Sequence, residues 1–230
     1  MKLHYSNLFL TFLTLLLIVF IGFFPSYFSQ DVSKFSFWIN LHATSMLIWF
    51  GLLFAQAYLI KRGKLKIHRL LGNLSWILLL VITTSTLFLA YGSVLKGIEN
   101  GKALIASGFF LIPVTDLLLF ITMYLLAIFF KKNHLKHITF ILLATIALLP
   151  PALIRIYFNY FSKVALVYPL LTIVLSMDVL VLVILILKAR KNLSLKTCII
   201  FSLSFPLVHI VRHFLVKLPS FQKFIFSLIG

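Results

Sequence analysis

Polar and apolar positions do not alternate along this chain; they come in blocks. Apolar runs of about twenty residues, the length a helix needs to cross a bilayer, recur from end to end: roughly 8–28, 37–60, 69–91, 104–130, 135–158, 165–187 and 196–216. Short stretches between them hold most of the charge. The pattern predicts an all-α membrane protein, a seven-helix bundle in which residues 1–230 make one transmembrane domain. The first run is as long as a bilayer span, and no small-x-small cleavage site follows it in PSYFSQD, so a membrane helix is expected there rather than a leader.

Composition removes the soluble alternatives. With 62% hydrophobic and 11% charged residues, no soluble domain of this size is built this way. A net charge of +17 invites a nucleic-acid reading, but the cations follow the loops in alternation. Lys61, Arg62, Lys64, Lys66 and Arg69 fill one loop, Lys131, Lys132 and Lys136 another, and Lys188, Arg190, Lys191 and Lys196 a third. The other side carries scattered lysines at 34, 96, 102, 163, 217 and 223. Cytoplasmic loops carry the excess of Lys and Arg, so the N-terminus is expected in the cytoplasm and the C-terminus outside. The expected partner is the lipid bilayer, with no nucleic acid, and the expected place a bacterial inner membrane. Tyr27, Trp38, Tyr91, Tyr157, Tyr160 and Tyr168 then fall near the outer interface as an aromatic belt. The single cysteine, Cys198, excludes an intramolecular disulfide and an all-protein thiolate metal site.

Orientation gives each polar residue within a run an expected depth. His42, Arg155, His209, Arg212 and His213 fall in an outer layer, Asp116 and Asp178 near the midplane, and His68, His134 and His137 at the cytoplasmic edge. In FPLVHIVRHF, residues 205–214, His209, Arg212 and His213 share one helical face, which must look inward because lipid rejects it. Pro113, Pro151 and Pro206 stand three or four residues before Asp116, Arg155 and His209. Such irregular backbone in a membrane belongs against protein or a polar cavity. Mutual pairing is the cheapest relief for buried charge. Arg155 and Arg212 are therefore expected to reach Asp116 and Asp178, and that set could do no more than pack the bundle.

Three chemistries are compatible with these residues. Haem b would take two imidazoles from facing helices and cations for its propionates. His42 with His209 or His213, beside Arg155 or Arg212, would serve an outer haem. His68 with His137 would serve an inner one, and two haems would carry electrons across the bilayer between redox partners that the sequence does not name. No C-x-x-C-H is present, so attachment would be non-covalent. A zinc hydrolase would use His209 and His213, one turn apart, with His42 as third ligand and Asp116 or Asp178 beside an activated water. A proton- or ion-coupled transporter would use Asp116 and Asp178 themselves, and needs no cofactor.

Residues 40–77, NLHATSMLIWFGLLFAQAYLIKRGKLKIHRLLGNLSWI, resemble an uncharacterised family of bacterial polytopic membrane proteins, a domain of unknown function, in a helix-2 histidine, a basic turn and an HRLLG opening the next helix. The stretch HLKHITFILLATIALLPPALIRI is similar to that family's histidine-led helix ending in arginine. The resemblance covers about helices 2–5 and implies a membrane fold without an activity. His42 followed by the basic turn and His68–Arg69 is more loosely similar to two-haem transmembrane b-type cytochromes, although helices 4 and 6 hold no histidine here. Seven helices with H-x-x-x-H on the last resemble the alkaline ceramidase and progestin/adiponectin receptor superfamily. This chain departs from it: Trp38 stands where that pattern has serine, helix 3 lacks its aspartate, and the histidine layer lies farther from the cytoplasm.

Overall fold

Prolines, small polar caps and two left-handed glycines set where the helices begin and end. The computed structural model describes residues 5–161, 168–189 and 195–229. Among these, every regular element is helical. The α-helices are α1 (Tyr5–Phe23), α2 (Phe37–Lys61), α3 (Leu65–Glu99), α4 (Ala103–Phe129), α5 (His134–Ala147), α6 (Pro150–Tyr160), α7 (Pro169–Ala189), α8 (Lys196–Ser202), α9 (Ser204–Leu215) and α10 (Pro219–Ile229). The sequence expectations that involve Lys163, Arg190, Lys191 and the start of the 165–187 run lie outside the described residues. Among the described residues, six helical stretches are long and apolar enough to cross a membrane: Leu8–Phe28, Phe37–Lys61, Leu65–Glu99, Leu104–Phe129, Pro169–Ala189 and Lys196–Leu215. The α5–α6 pair, bent by 44°, adds another if the two cross as one.

The chain groups into two compact units, Met1–Leu89 and Ala90–Gly230, with the boundary inside α3. In the first unit, α1 runs on through a π-helical turn at Phe24–Phe28 that accommodates Pro25. Asp31 then accepts from the amide and hydroxyl of Ser33, which hold its carboxyl below the usual carboxylate range. Ser36 caps α2 by accepting from the Ile39 amide. Gly63, at φ +68°, makes the turn into α3 that other residues enter at a cost. Phe9 and Phe12 of α1 pack on Phe54 of α2, and Trp38 stacks on Phe88 with ring centres 3.9 Å apart.

In the second unit, α4 and α5 form a hairpin whose return is capped by Asn133, accepting from the Lys136 amide at 3.1 Å. Phe120, Met123 and Tyr124 of α4 and Phe140, Leu143 and Ala144 of α5 are buried, as is Val174 of α7. Two expected spans are each two helices. The run 135–158 breaks before Pro150–Pro151, where two consecutive residues lack an N–H to continue the ladder. The run 196–216 breaks at Leu203, because Pro206 cannot donate back to the Ser202 carbonyl one turn earlier.

One helix outruns its apolar stretch and another lies beyond the last one. Helix α3 reaches Glu99, well past residue 91, and its 35 residues span about 50 Å at roughly 1.5 Å per residue. Helix α10 was not expected from the sequence: its 11 residues are too few to cross a bilayer. It docks on α4 at Gly108, where Gln222 donates to the Val216 carbonyl at 2.7 Å. A Cβ at Gly108 would lie 2.7 Å from that same carbonyl oxygen. Gly108→Ala is therefore expected to lose about 1–3 kcal/mol to overpacking, exceeding the roughly 1 kcal/mol that alanine gains in helix propensity. Thermal unfolding in mild detergent checks this, and a stabilised variant would show that the turn yields.

Candidate functional site

The second unit collects its buried charge where α4, α7 and α9 meet. His209 and Arg212 are three residues apart on α9 and so share one face; both are buried, at 1% and 3% exposure. Asp116 of α4 and Asp178 of α7 face them, also buried. Arg212 donates from Nη1 to Asp116 Oδ1, to Thr115 Oγ1 at 3.0 Å and to the Ile112 carbonyl at 3.3 Å. Thr115 in turn donates to the Leu111 and Ile112 carbonyls. Pro113 lies in the same turn of α4, where the helix has lost one backbone donor. Guanidinium donors thus gather on a stretch of helix that proline has loosened.

His209 lies between the two carboxylates. Its Nδ1 is 2.8 Å from Asp178 Oδ2, and because a carboxylate only accepts, Nδ1 carries the proton. Its Nε2 lies 3.6 Å from Asp116 Oδ1, within ion-pair reach but beyond a hydrogen bond. Asp116 Oδ2, Asp178 Oδ1 and His209 Nε2 are buried without a hydrogen-bond partner. Two carboxylates face one guanidinium, so the group is one negative charge in excess unless it holds one proton. Buried polar atoms left unmatched are costly, and here three lie together around a single imidazole.

The pairing expectation holds for one arginine. Arg212 takes Asp116, whereas Asp178 takes His209 instead of a guanidinium. Arg155, on α6 beyond the bend, donates to the Pro151 carbonyl at 3.0 Å. Arg155, His209 and Arg212 nonetheless line one cavity of about 640 Å³, together with His213 and Lys217. Its walls are mainly apolar, with Ile112, Ile154, Leu171 and Val174 and the rings of Pro113, Pro150 and Pro151. The described lining includes no carboxylate.

The remaining sequence candidates are distributed as follows. His213 does not join His209 despite the four-residue spacing. Its Nε2 accepts from Lys217 Nζ at 2.9 Å and its ring meets the edge of Tyr168, over which Lys217 also sits, 4.0 Å from the ring centre. Among the described residues no three His, Cys, Asp or Glu gather as a metal-ligand set. His42 and His68 belong to the first unit, and His137 to the second. Ser85 spends its hydroxyl proton on the Ile82 carbonyl, so His42 donates from Nδ1 to Ser85 Oγ at 3.2 Å and keeps a lone pair on Nε2. His137 Nδ1 donates to the Ala127 carbonyl at 2.8 Å, which also leaves Nε2 as acceptor. The His68 carbonyl accepts from Gln56. His134 starts α5 and is exposed. Sequence reasoning overlooked Thr115, placed Tyr168 only in the aromatic belt and assigned Lys217 only to a loop. Thr115 lay beside Asp116 as a usable signal, whereas no local signal marks Tyr168 or Lys217.

Fold and site together define a class: an all-α protein with several helices able to cross a membrane, carrying a buried Asp–His–Asp–Arg group at an apolar cavity. No protein-family model matches the chain, and neither the curated proteins nor the solved structures compared with it include a match.

Proposed function

We propose that the second unit is the coupling core of a proton- or ion-driven membrane transporter, with Asp116, Asp178 and His209 sharing the coupling charge and Arg212 as counter-charge. The observation that carries this reading is the set of three unpartnered buried atoms around His209, adjoining a cavity that His209 and Arg212 line. Intramembrane carboxylates and histidines facing a cavity are what proton relays and ion paths use. A proton moves between His209 Nδ1 and Asp178 Oδ2 along an existing hydrogen bond. A proton taken up at Nε2 makes the imidazolium. The imidazolium then gives up either that proton to Asp116, through one water across the 3.6 Å gap, or its Nδ1 proton to Asp178. An anion entering the cavity competes with Asp116 for Arg212, and Asp116, losing its counter-charge, becomes the acceptor. Anion and proton are thereby loaded together. The test is infrared difference spectroscopy of reconstituted protein over a pH series. A carboxyl or imidazole signal of about one proton per chain, lost in Asp116→Asn or Asp178→Asn, is expected; a spectrum without a titrating group at this site removes the reading.

The same proposal takes the chain to cross a bacterial inner membrane seven times, with the α5–α6 pair as one bent span, the N-terminus cytoplasmic and the C-terminus outside. The alternation of basic loops supports it, and α10 would then lie along the outer interface, as short amphipathic helices do. In a Cys198→Ala background, Lys34→Cys and Lys223→Cys are expected to react with a membrane-impermeant maleimide on intact cells, and Lys132→Cys only after permeabilisation. The reverse pattern would invert the topology.

Haem-linked electron transfer is the second reading, consistent with the loose likeness to two-haem cytochromes, and a different observation favours it. His42 and His137 each donate from Nδ1 and keep Nε2 open, the state in which a metal-ligating histidine is held by its surroundings. His209 fits less well, because carboxylates stand at both ring nitrogens. Protein purified from haem-replete cells would show a Soret band and a sharp reduced α-band, lost in His42→Ala or His137→Ala. Colourless protein from such cells would end this reading.

A further inference from the structure

We propose that the cavity of the second unit binds a single-chain amphipathic anion drawn from the membrane, its head against the Lys217, Arg155 and Arg212 side and its chain along the proline-rich wall. The inference deepens the coupled-transport reading by naming the substrate class of the same site, and its test does not depend on proton movement.

Three observations carry it. The first is charge: the lining includes Arg155, Arg212 and Lys217 and, among the described residues, no carboxylate. Behind that lining Asp116 faces Arg212 and Asp178 faces His209, so the three cations of the cavity outnumber the two carboxylates beside it and the cavity keeps a positive charge. The second is shape and surface. About 640 Å³ lies in the range that encloses most of a ligand of drug size. The surface between the cations is Ile112, Ile154, Leu171, Val174 and proline rings, which offer a small inorganic anion nothing beyond its charge. The third is the entrance. Phe109, Phe158 and Tyr168 line the cavity and are each about half exposed or more, at 52%, 58% and 50%. In a membrane chain, large exposed aromatics face acyl chains or the interface. Lys217 is also exposed and sits over the Tyr168 ring, the arrangement in which an amphipathic side chain keeps its charge at the polar level. The rim therefore offers an apolar entrance with a cation beside it, which suits a molecule lying in one leaflet with its head at the interface.

The measurement uses full-length protein in phosphatidylcholine vesicles and a diazirine-bearing fatty acid as photoprobe, with labelled peptides read by mass spectrometry. Saturable labelling of cavity peptides is expected, competed by oleate and at least tenfold less by oleyl alcohol, which has the same chain without the charge. Inorganic phosphate and acetate are expected not to compete. Lys217→Gln, which removes the charge and keeps an N–H donor at this exposed position, should weaken competition by oleate about tenfold in a protein that still melts as wild type. Leu171→Trp, which fills the half-buried wall, should abolish labelling in a protein that still elutes as wild type. Equal competition by oleyl alcohol would reduce the cavity to an apolar surface. Competition by phosphate would assign it to free anions, and labelling that ignores both variants would place the probe elsewhere; each outcome overturns the proposal. Oleate bound without any titrating group at the site would leave this inference standing and remove the coupling reading. A titrating group without oleate binding would do the opposite.

Discussion

Arg212→Ala is expected to lower the unfolding temperature in mild detergent by on the order of 10 °C, corresponding to about 3–5 kcal/mol, while Lys223→Ala on the exposed face of α10 leaves it within a degree or two. The size follows from what is left behind. Arg212 is the guanidinium facing Asp116, and it also ties Thr115 and the Ile112 carbonyl of α4 to α9. Removing it leaves Asp116 buried with only His209 near, at 3.6 Å. A pair broken on one side costs far more than a pair replaced whole by apolar groups of similar volume. Asp116→Leu combined with Arg212→Met is accordingly expected to recover most of the loss. Equal melting of Arg212→Ala and Lys223→Ala would show that the pair contributes nothing to holding α4 against α9.

Asp178→Asn is expected to bring proton exchange at the site from about one per chain to near none, with a change in unfolding temperature much smaller than that of Arg212→Ala. An asparagine carbonyl still accepts from His209 Nδ1, so the 2.8 Å link keeps its geometry. What disappears is the excess negative charge, and with it the need for a shared proton. The amide nitrogen, placed where Asp178 Oδ1 is already unpartnered, adds an unmet donor of about 1–3 kcal/mol, which removal of a buried charge offsets. Infrared difference spectra and a melting curve on the same preparation decide the matter. Persistence of the full proton signal in Asp178→Asn would transfer the relay to Asp116 and His209 alone.

The partners of Asp116 and Asp178 show where linear reasoning stops. Charge count pointed to Arg212 as partner of a buried carboxylate, because a guanidinium within an apolar run has few ways to avoid lipid. Of the expected inward face on α9, His209 and Arg212 are buried and His213 is only partly so. The second arginine failed the same logic. Arg155 follows the break at Pro150–Pro151, and after that 44° bend it donates to its own helix at Pro151. His209 and His213 are equivalent by spacing, yet one is buried against Asp178 and the other faces Lys217 and Tyr168.

Positions of the apolar runs, and hence most helices and their fitness for a membrane, were already determined by the sequence. Burying an unpaired backbone in lipid leaves helix as the local solution, whatever the neighbours do. The helices after Ser36 and Asn133 start within a residue of the expected positions, whereas the break before Pro150 divides a run that was expected to be one span. The extension of α3 to Glu99 was not legible as part of the run, because in residues 92–99, GSVLKGIE, two glycines, a lysine and a glutamate interrupt the apolar pattern, although Val94 there is buried. Only the tertiary structure decided that α10 folds back on Gly108, that His209 takes Asp178, and that four prolines and several cations of α4, α6, α7 and α9 enclose one cavity. Each of these depends on distances between segments far apart in the chain, which periodicity along a single helix does not encode.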